Sequence, residues 1–173
     1  MANFFCLMRE KDFEKLVNQY SEPLYWQIRR LVNNHEDAND LLQNTFVKAW
    51  SKIDEFRNDA KISTWLYRIA INESIDFLRK QKNFNGVSTD AEDAVIANTL
   101  KSDPYFDGDD IQVKLQTAIS LLPPAQKAVF NMRYFDEMPY SEISEITGTS
   151  EGALKASYHI AVQKISKYFK TND

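Results

Sequence analysis

Residues that interrupt helices are scarce in this chain. It contains only 4 Gly and 5 Pro among 173 residues. A β-sandwich or barrel needs many tight turns, so this scarcity argues against those folds and favours long helices. Apolar residues make up 43% of the sequence, which is enough to form a core. We therefore expect an all-α fold.

One acidic segment divides the chain. Residues 84–110 contain one Lys and seven acidic residues, a charge of −6, and little amphipathic pattern. Residues 9–83 (13 basic, 12 acidic) and 111–173 (7 basic, 6 acidic) each carry +1, although the whole chain carries −4. We predict two small helical domains, 1–83 and 111–173, joined by an acidic flexible linker, 84–110. A short helix around residues 90–100 is an alternative for part of that linker.

The helix boundaries in the first domain follow from capping signals. Ser21-Glu22-Pro23 predicts a break or restart in the first helix, because proline favours a first turn. Asp37 is predicted as the N-cap of the next helix, and Ser63 or Thr64 as the cap of a third.

The second domain contains a helix-turn-helix pattern at residues 139–169. Gly148 is predicted to adopt the left-handed conformation in the turn, and Thr149 or Ser150 to cap the final helix. Small residues near the start of that helix would let it approach a major groove, where Lys155, Ser157 and His159 could reach phosphates and base edges. The alternative is a helical hairpin with a solvated lysine face.

The third helix of the first domain presents a mixed polar stripe. Cations, an aromatic ring and an amide alternate along it: Lys61, Trp65, Arg68, Asn72, Ile75 and Arg79. Cations can follow phosphates while flat rings stack on unpaired bases, so the stripe suits single-stranded nucleic acid. The preceding loop, Glu55–Lys61, could form a pocket for a flipped base. Alternatively, Trp65 belongs to the core and the arginines only extend along the surface.

Nothing in the sequence predicts an enzyme. Cys6 is the only cysteine, so cysteine-based zinc sites and internal disulfides are excluded, and a single thiol fits the cytoplasm. His35 and His159 lie far apart, and Glu36–Asp40 lacks the Gly and terminal Glu of a calcium loop. We expect no metal, no cofactor and no small-molecule substrate. No apolar run approaches the roughly 18 residues of a membrane helix.

The order of these motifs resembles a known family. Residues 37–50, 56–57, 63–72 and 76–79 closely resemble the second conserved region of RNA polymerase sigma factors of the extracytoplasmic-function group. Residues 121–130, 140–143 and 150–155 resemble the fourth region of that group. The resemblance implies a bacterial transcription initiation factor whose partners are core RNA polymerase (the coiled coil of its largest subunit, and its flap) and promoter DNA. It also implies an inhibitory anti-sigma factor, often membrane-bound.

The resemblance assigns roles residue by residue. The polymerase-binding positions would be Asp37, Asp40, Gln43, Asn44, Phe46, Lys48 and Trp50, although Phe46 and Trp50 have a core role as an alternative. The residues that capture the non-template strand of the minus-ten element would be Phe56, Arg57, Asn58, Lys61, Trp65, Arg68, Asn72 and Arg79. The residues that read the minus-thirty-five element would be Thr149, Ser150, Lys155, Ser157 and His159.

The chain also departs from the family pattern. Many members carry arginines where this chain has Ser157, Ile160 and Val162, so fewer phosphate contacts are expected there, and Ile160 would touch either a thymine methyl group or a protein partner. The acidic linker would thread the RNA path of polymerase and mimic RNA. Two other functional classes remain as alternatives. One is a stand-alone helix-turn-helix regulator, although this chain shows no obvious heptad for dimerisation. The other is a helical protein-interaction module.

Overall fold

The structure is a computed structural model that describes residues 2–56, 60–85, 89–104 and 106–172, and its regular elements are all helical. The eight α-helices of these ranges are α1 (Ala2–Val32), α2 (His35–Lys52), α3 (Ile62–Asn85), α4 (Thr89–Ser102), α5 (Asp110–Ser120), α6 (Pro124–Tyr134), α7 (Tyr140–Thr147) and α8 (Glu151–Thr171). A single 3-10 turn, Ile53–Glu55, follows α2. The all-α prediction is confirmed. No helix in the described ranges is long and apolar enough to cross a membrane.

The first three helices pack against one another along apolar faces. Leu24, Ile28 and Leu31 of α1 are fully buried, and they share a core with Leu66 and Ala70 of α3. The predicted break at Pro23 is wrong, because α1 continues through it. A proline inside a helix costs about 3 kcal/mol. The buried residues that follow Pro23 offset this cost, and local sequence signals do not report such packing.

The predicted helix caps in this half are also displaced. Asn34, not Asp37, caps α2, and its side chain accepts hydrogen bonds from the backbone N–H groups of Glu36 (2.8 Å) and Asp37 (3.2 Å). The helix α3 begins at Ile62, so Ser63 and Thr64 lie inside it. An Asn or Asp near a helix start serves equally well as a cap or a first-turn residue, and the sequence pattern did not separate these roles.

The second half follows the helix-turn-helix prediction closely. Gly148 adopts φ +71°, which ends α7 in the left-handed conformation. Ser150 caps α8 through a hydrogen bond from the N–H of Ala153 at 3.3 Å. Leu154, Ala161 and Ile165 of α8 face the core. Local turn chemistry therefore determines this motif.

The two halves pack against each other, which the sequence did not predict. Ala128, Val129 and Met132 of α6, with Ile143 and Ile146 of α7, belong to the same buried cluster as the core of α1 and α3. We call this packing of α6 and α7 on α1 and α3 the closed arrangement.

The acidic segment contains the helix α4, in keeping with the alternative prediction of a short helix. Leu100 of α4 is fully buried, and Asp103 forms a buried ion pair with Arg29 of α1. This part of the segment therefore packs on the helices, whereas a solvated spacer was expected. The side chains of Asp90, Glu92 and Asp93 lie outside the described residues.

Candidate nucleic-acid interface

The polar stripe of α3 lies on the solvent side of that helix. Lys61, Arg68, Asn72 and Arg79 are exposed, and we call these four residues the α3 stripe. The opposite side of α3 is buried in the core through Leu66 and Ala70. Helical periodicity thus separates a packing face from an open polar face on one element.

An aromatic pair lies at the start of α3. The rings of Phe56 and Trp65 have centroids 5.2 Å apart and are tilted by 41°. Both side chains are half-buried, and Trp65 also packs against the core. Trp65 therefore has a core contact and a partly open ring. Arg57 and Asn58, the other predicted members of this pocket, lie outside the described residues.

The predicted recognition residues lie on the first three turns of α8 and in the turn before it. Lys155 and His159 are exposed, and so are Thr149 and the capping residue Ser150. The Lys155 ammonium lies 5.7 Å from the ring centroid of Tyr140, and His159 hydrogen bonds to Gln163 at 3.1 Å. Ser157 is half-buried, and Ile160 is 44% exposed.

The α3 stripe and the start of α8 face each other across one cleft of about 440 Å³. Asn72 and Arg79 line one side of it, and Thr149 and Ser157 line the other. Arg79 also lies 3.6 Å from the carboxylate of Asp76, and both side chains are exposed. The closed arrangement thus brings together two sets of residues that the sequence assigned to different DNA elements.

Arg68 bridges the two halves directly. Its Nε donates to the carbonyl oxygen of Ile146 at 3.3 Å, and its guanidinium also donates to the carbonyl of Glu145. These carbonyls lie in the last turn of α7, where a helix leaves its carbonyl groups without helical partners. A cation there also interacts favourably with the helix dipole.

The predicted polymerase-binding surface of α2 divides into two parts. Asp40, Gln43, Asn44 and Lys48 are exposed, and Lys48 forms an ion pair with Glu73 of α3. Phe46 and Trp50 are half-buried, and their rings lie 6.4 and 4.9 Å from the ring of Phe13 in α1. These contacts favour the alternative in which Phe46 and Trp50 hold α1 and α2 together.

Asp37 lies among carboxylates in the first turn of α2. Its partial burial raises the pKa of its carboxyl above the ordinary value, and repulsion from Asp40 and Glu36 raises it further. The start of α2 thus concentrates negative charge at a partly exposed surface.

Within the described part of the chain, no cluster of three or more His, Cys, Asp or Glu side chains could hold a metal ion.

Sequence reasoning missed the polar contacts between the two halves. Asp136, after α6, accepts hydrogen bonds from Gln27 and from Arg30, the latter at 2.7 Å, and we call these three residues the Asp136 cluster. Burial raises the pKa of Asp136, although its bonds to Arg30 and Gln27 oppose that shift. Lys127 of α6 is only 4% exposed and donates to the carbonyl of Leu31 at 3.4 Å. The one available signal was polar residues at otherwise apolar helix positions, such as Gln27 and Lys127.

The chain matches two family models in the order that the motifs suggested. Residues 16–84 match Sigma-70 region 2, and residues 112–165 match Sigma-70, region 4. The ECF RNA polymerase sigma factor SigW of Bacillus subtilis (strain 168) is 33% identical over 168 residues, covering 91% of this chain and 89% of SigW. RNA polymerase sigma factor SigV of the same organism is 31% identical over 147 residues, covering 85% of this chain and 84% of SigV.

A solved structure shares the fold. It is the sigma factor RpoE of Bartonella quintana in complex with the anti-sigma factor NepR, at a TM-score of 0.68 and 22% identity, covering 94% of this chain and 99% of that one. The motifs, the two family models and the relatives, which align over most of their length, all indicate the same family. The chain therefore belongs to the sigma-70 family of RNA polymerase sigma factors, in its extracytoplasmic-function group, and its role is transcription initiation.

Proposed function

We propose that this sigma factor binds core RNA polymerase through α2, directs it to promoters and assists melting by capturing the non-template strand of the minus-ten element on α3. The observation that supports this most directly is the exposed α3 stripe beside the Phe56–Trp65 pair. The chain recognises the promoter and captures the strand, whereas polymerase synthesises the RNA. No catalytic residue is therefore assigned. The chain would act in the cytoplasm, with polymerase.

Strand capture follows from the chemistry of the α3 stripe. Its three cations, Lys61, Arg68 and Arg79, can follow the phosphates of a single strand, and the Asn72 amide can donate and accept hydrogen bonds on a base. An unstacked base could be held near the Phe56–Trp65 pair. Stacking on an aromatic ring contributes about 1–3 kcal/mol per base, comparable with the few kcal/mol needed to extrude the base.

Duplex recognition belongs to α8. Thr149, Ser150 and Lys155 surround an exposed helix N-terminus, which is a favourable place for a phosphate. Ser157 and His159 would reach base edges. This surface carries few cations, so its affinity for duplex alone is expected to be modest and dependent on salt. Once polymerase holds both halves, the second DNA contact becomes intramolecular, which raises the overall affinity without new contacts.

We assign polymerase docking to polar residues of α2 that are exposed or, for Asp37, partly exposed. Asp37, Asp40, Gln43, Asn44 and Lys48 form the surface offered to the coiled coil of the largest subunit, and region 4 is the half offered to the flap. An anti-sigma factor is a further expected partner, since RpoE of Bartonella quintana was crystallised with one. The acidic residues of segment 84–110 are proposed to occupy the RNA path of polymerase.

Run-off transcription with purified core polymerase tests this proposal. Asn72→Ala should reduce promoter-specific transcripts about tenfold, because it removes base contacts of about 1–3 kcal/mol, while a pull-down with core polymerase should be unchanged. Gln81→Ala is the matched control, since Gln81 is an exposed amide on the same helix outside the stripe.

Two results would reject the proposal. Absence of core binding by the parent chain would contradict the polymerase assignment and favour a stand-alone regulator. Equal transcription by the Asn72→Ala and Gln81→Ala variants would contradict the placement of strand capture on α3.

A further inference from the structure

The side of α8 that points away from the core carries a line of side chains that cannot hydrogen bond. Gly152, Ala156 and Ile160 follow one another at intervals of four residues, so they share one side of the helix, and all three are exposed. Leu154 and Ala161 are buried on the core side. Glycine, alanine and isoleucine have no side-chain donor or acceptor. Any readout of DNA by this line of residues therefore uses apolar contacts.

The first turn of α8 leaves room for another molecule to approach closely. A Cβ at Gly152 would have no atom of the described chain within 4 Å, so packing within the chain does not require a glycine there. Gly148 differs, because its φ of +71° does require one. A glycine inside a helix lowers stability relative to alanine. The open space beside Gly152 would let the start of α8 lie deep in a major groove.

Ile160 is the first bulky side chain along this line, and it is 44% exposed. Of the four bases, only thymine presents a methyl group in the major groove. An aliphatic side chain recognises that methyl group by removing it from water, whereas guanine is most often recognised by the donors of Arg or Lys. Ile160 has no donor, and no arginine occurs in α8. The chemistry at this position therefore suits thymine and not guanine.

We propose that Ile160 is a specificity-determining residue of α8, which contacts the methyl group of a thymine, so that the duplex selected by this chain carries T·A at that position. This inference rests on the proposed assignment of α8 to the minus-thirty-five element. The exposed Lys155 and the N-terminus of α8 would hold phosphates, which position the helix without reading sequence. Ile160 then contributes base preference, and these groups contribute affinity.

Selection from a pool of randomised duplexes tests the base preference. The full chain in complex with core polymerase is mixed with the pool, and the bound duplexes are sequenced. We expect one position at which the parent enriches thymine and Ile160→Ala does not. Ile160→Arg should enrich guanine at the same position, because its guanidinium supplies the paired donors that guanine accepts. A selected pool without a thymine preference that depends on Ile160 would overturn the proposal.

Replacement of the selected thymine by uracil isolates the methyl group, because uracil differs from thymine only in lacking it. The parent complex should bind the uracil duplex about fourfold more weakly, the factor that corresponds to about 0.8 kcal/mol for one buried methyl-sized group. Ile160→Ala should bind the two duplexes with equal affinity. Equal binding of both duplexes by the parent, or an undiminished difference in Ile160→Ala, contradicts a contact between Ile160 and the methyl group.

Val162→Ala is the matched control. Val162 is a 37% exposed apolar residue of the same helix, and its position two residues after Ile160 places it on another side. This variant should keep the preference for thymine over uracil. Loss of the preference in both variants would show that it reflects the helix as a whole, and the proposal would be wrong.

Failure of this inference can be distinguished from failure of the proposed function. A complex that binds duplex and transcribes, but does not distinguish thymine from uracil, refutes the role of Ile160 alone. Weaker polymerase binding by Ile160→Ala with an unchanged thymine preference would place Ile160 against a protein, which also refutes it. Absence of polymerase binding by the parent, in contrast, rejects the proposed function and this inference with it.

Discussion

Two surfaces of the first half, on α2 and on α3, differ in what covers them. The polar residues of α2 that we assign to polymerase, such as Gln43 and Asn44, are exposed, and α2 packs mainly on α1 and α3. Part of the α3 stripe lies beside the second half, because Arg68 donates to carbonyls of α7 and because Asn72 and Arg79 line the cleft. The residues of both surfaces are exposed, but the second half engages part of the α3 surface through Arg68, whereas α2 packs mainly within the first half.

This difference indicates an order of events. If α2 docks on polymerase as proposed, the halves need not separate for it, whereas a strand captured along the α3 stripe would have to displace the contact between Arg68 and α7. Predictions that alter the shared core, the α2 surface or its charge test this comparison in turn.

Loss of the buried face of α3 should have the largest effect. Leu66 is fully buried between the helices, so Leu66→Ala should lower the free energy of unfolding by about 2–5 kcal/mol. Urea unfolding measures this change. Val47→Ala on α2 is the control, because Val47 is 67% exposed and its loss should change stability by no more than about 0.5 kcal/mol. A Leu66→Ala chain as stable as the control would contradict the shared core.

Loss of an exposed amide on α2 should have an intermediate effect. Gln43→Ala should weaken core polymerase binding by about tenfold, the effect of losing one well-placed interface contact, without changing the stability of the free chain. The same loss is expected in the Asp136→Ala background, because the α2 surface does not depend on closure. Titration of labelled chain with core polymerase measures both. A loss confined to one background would show that docking and closure are coupled.

The charge at the start of α2 should have the smallest effect. The pKa of the Asp37 carboxyl is raised in the folded chain, so the folded chain binds a proton there more tightly than the unfolded chain does. Protonation of Asp37 therefore stabilises the fold at acid pH, and this stabilisation is lost as the pH rises through the folded pKa. Asp37→Asn should remove that slope and alter stability near neutral pH by less than about 0.5 kcal/mol. Urea unfolding from acid to neutral pH measures it, with Asp107→Asn as the exposed control. Identical slopes in parent and Asp37→Asn chains would contradict the assignment.

Features that depend on neighbouring residues could be predicted from the sequence, whereas features that depend on packing between distant helices could not. Gly148 was identified correctly, and Ser150 was one of the two candidate caps, because a left-handed turn and a helix cap depend on neighbouring residues alone. The continuation of α1 through Pro23 depends on burial against other helices. Similarly, periodicity predicted that Arg68 is exposed, but its partners Glu145 and Ile146 lie more than 70 residues away in sequence. The pairing of the two halves left no periodic signal that would identify it.

The helix α4 gives the acidic segment an adjustable length. A helix rises 1.5 Å per residue and an extended chain about 3.4 Å, so the 14 residues of α4 span about 21 Å when helical and about 48 Å when extended. If the packing of Leu100 and the ion pair of Asp103 with Arg29 were lost, the greatest distance between the halves would depend on whether α4 stays helical. The spacing between two promoter elements that the halves could reach would then vary by up to about 27 Å.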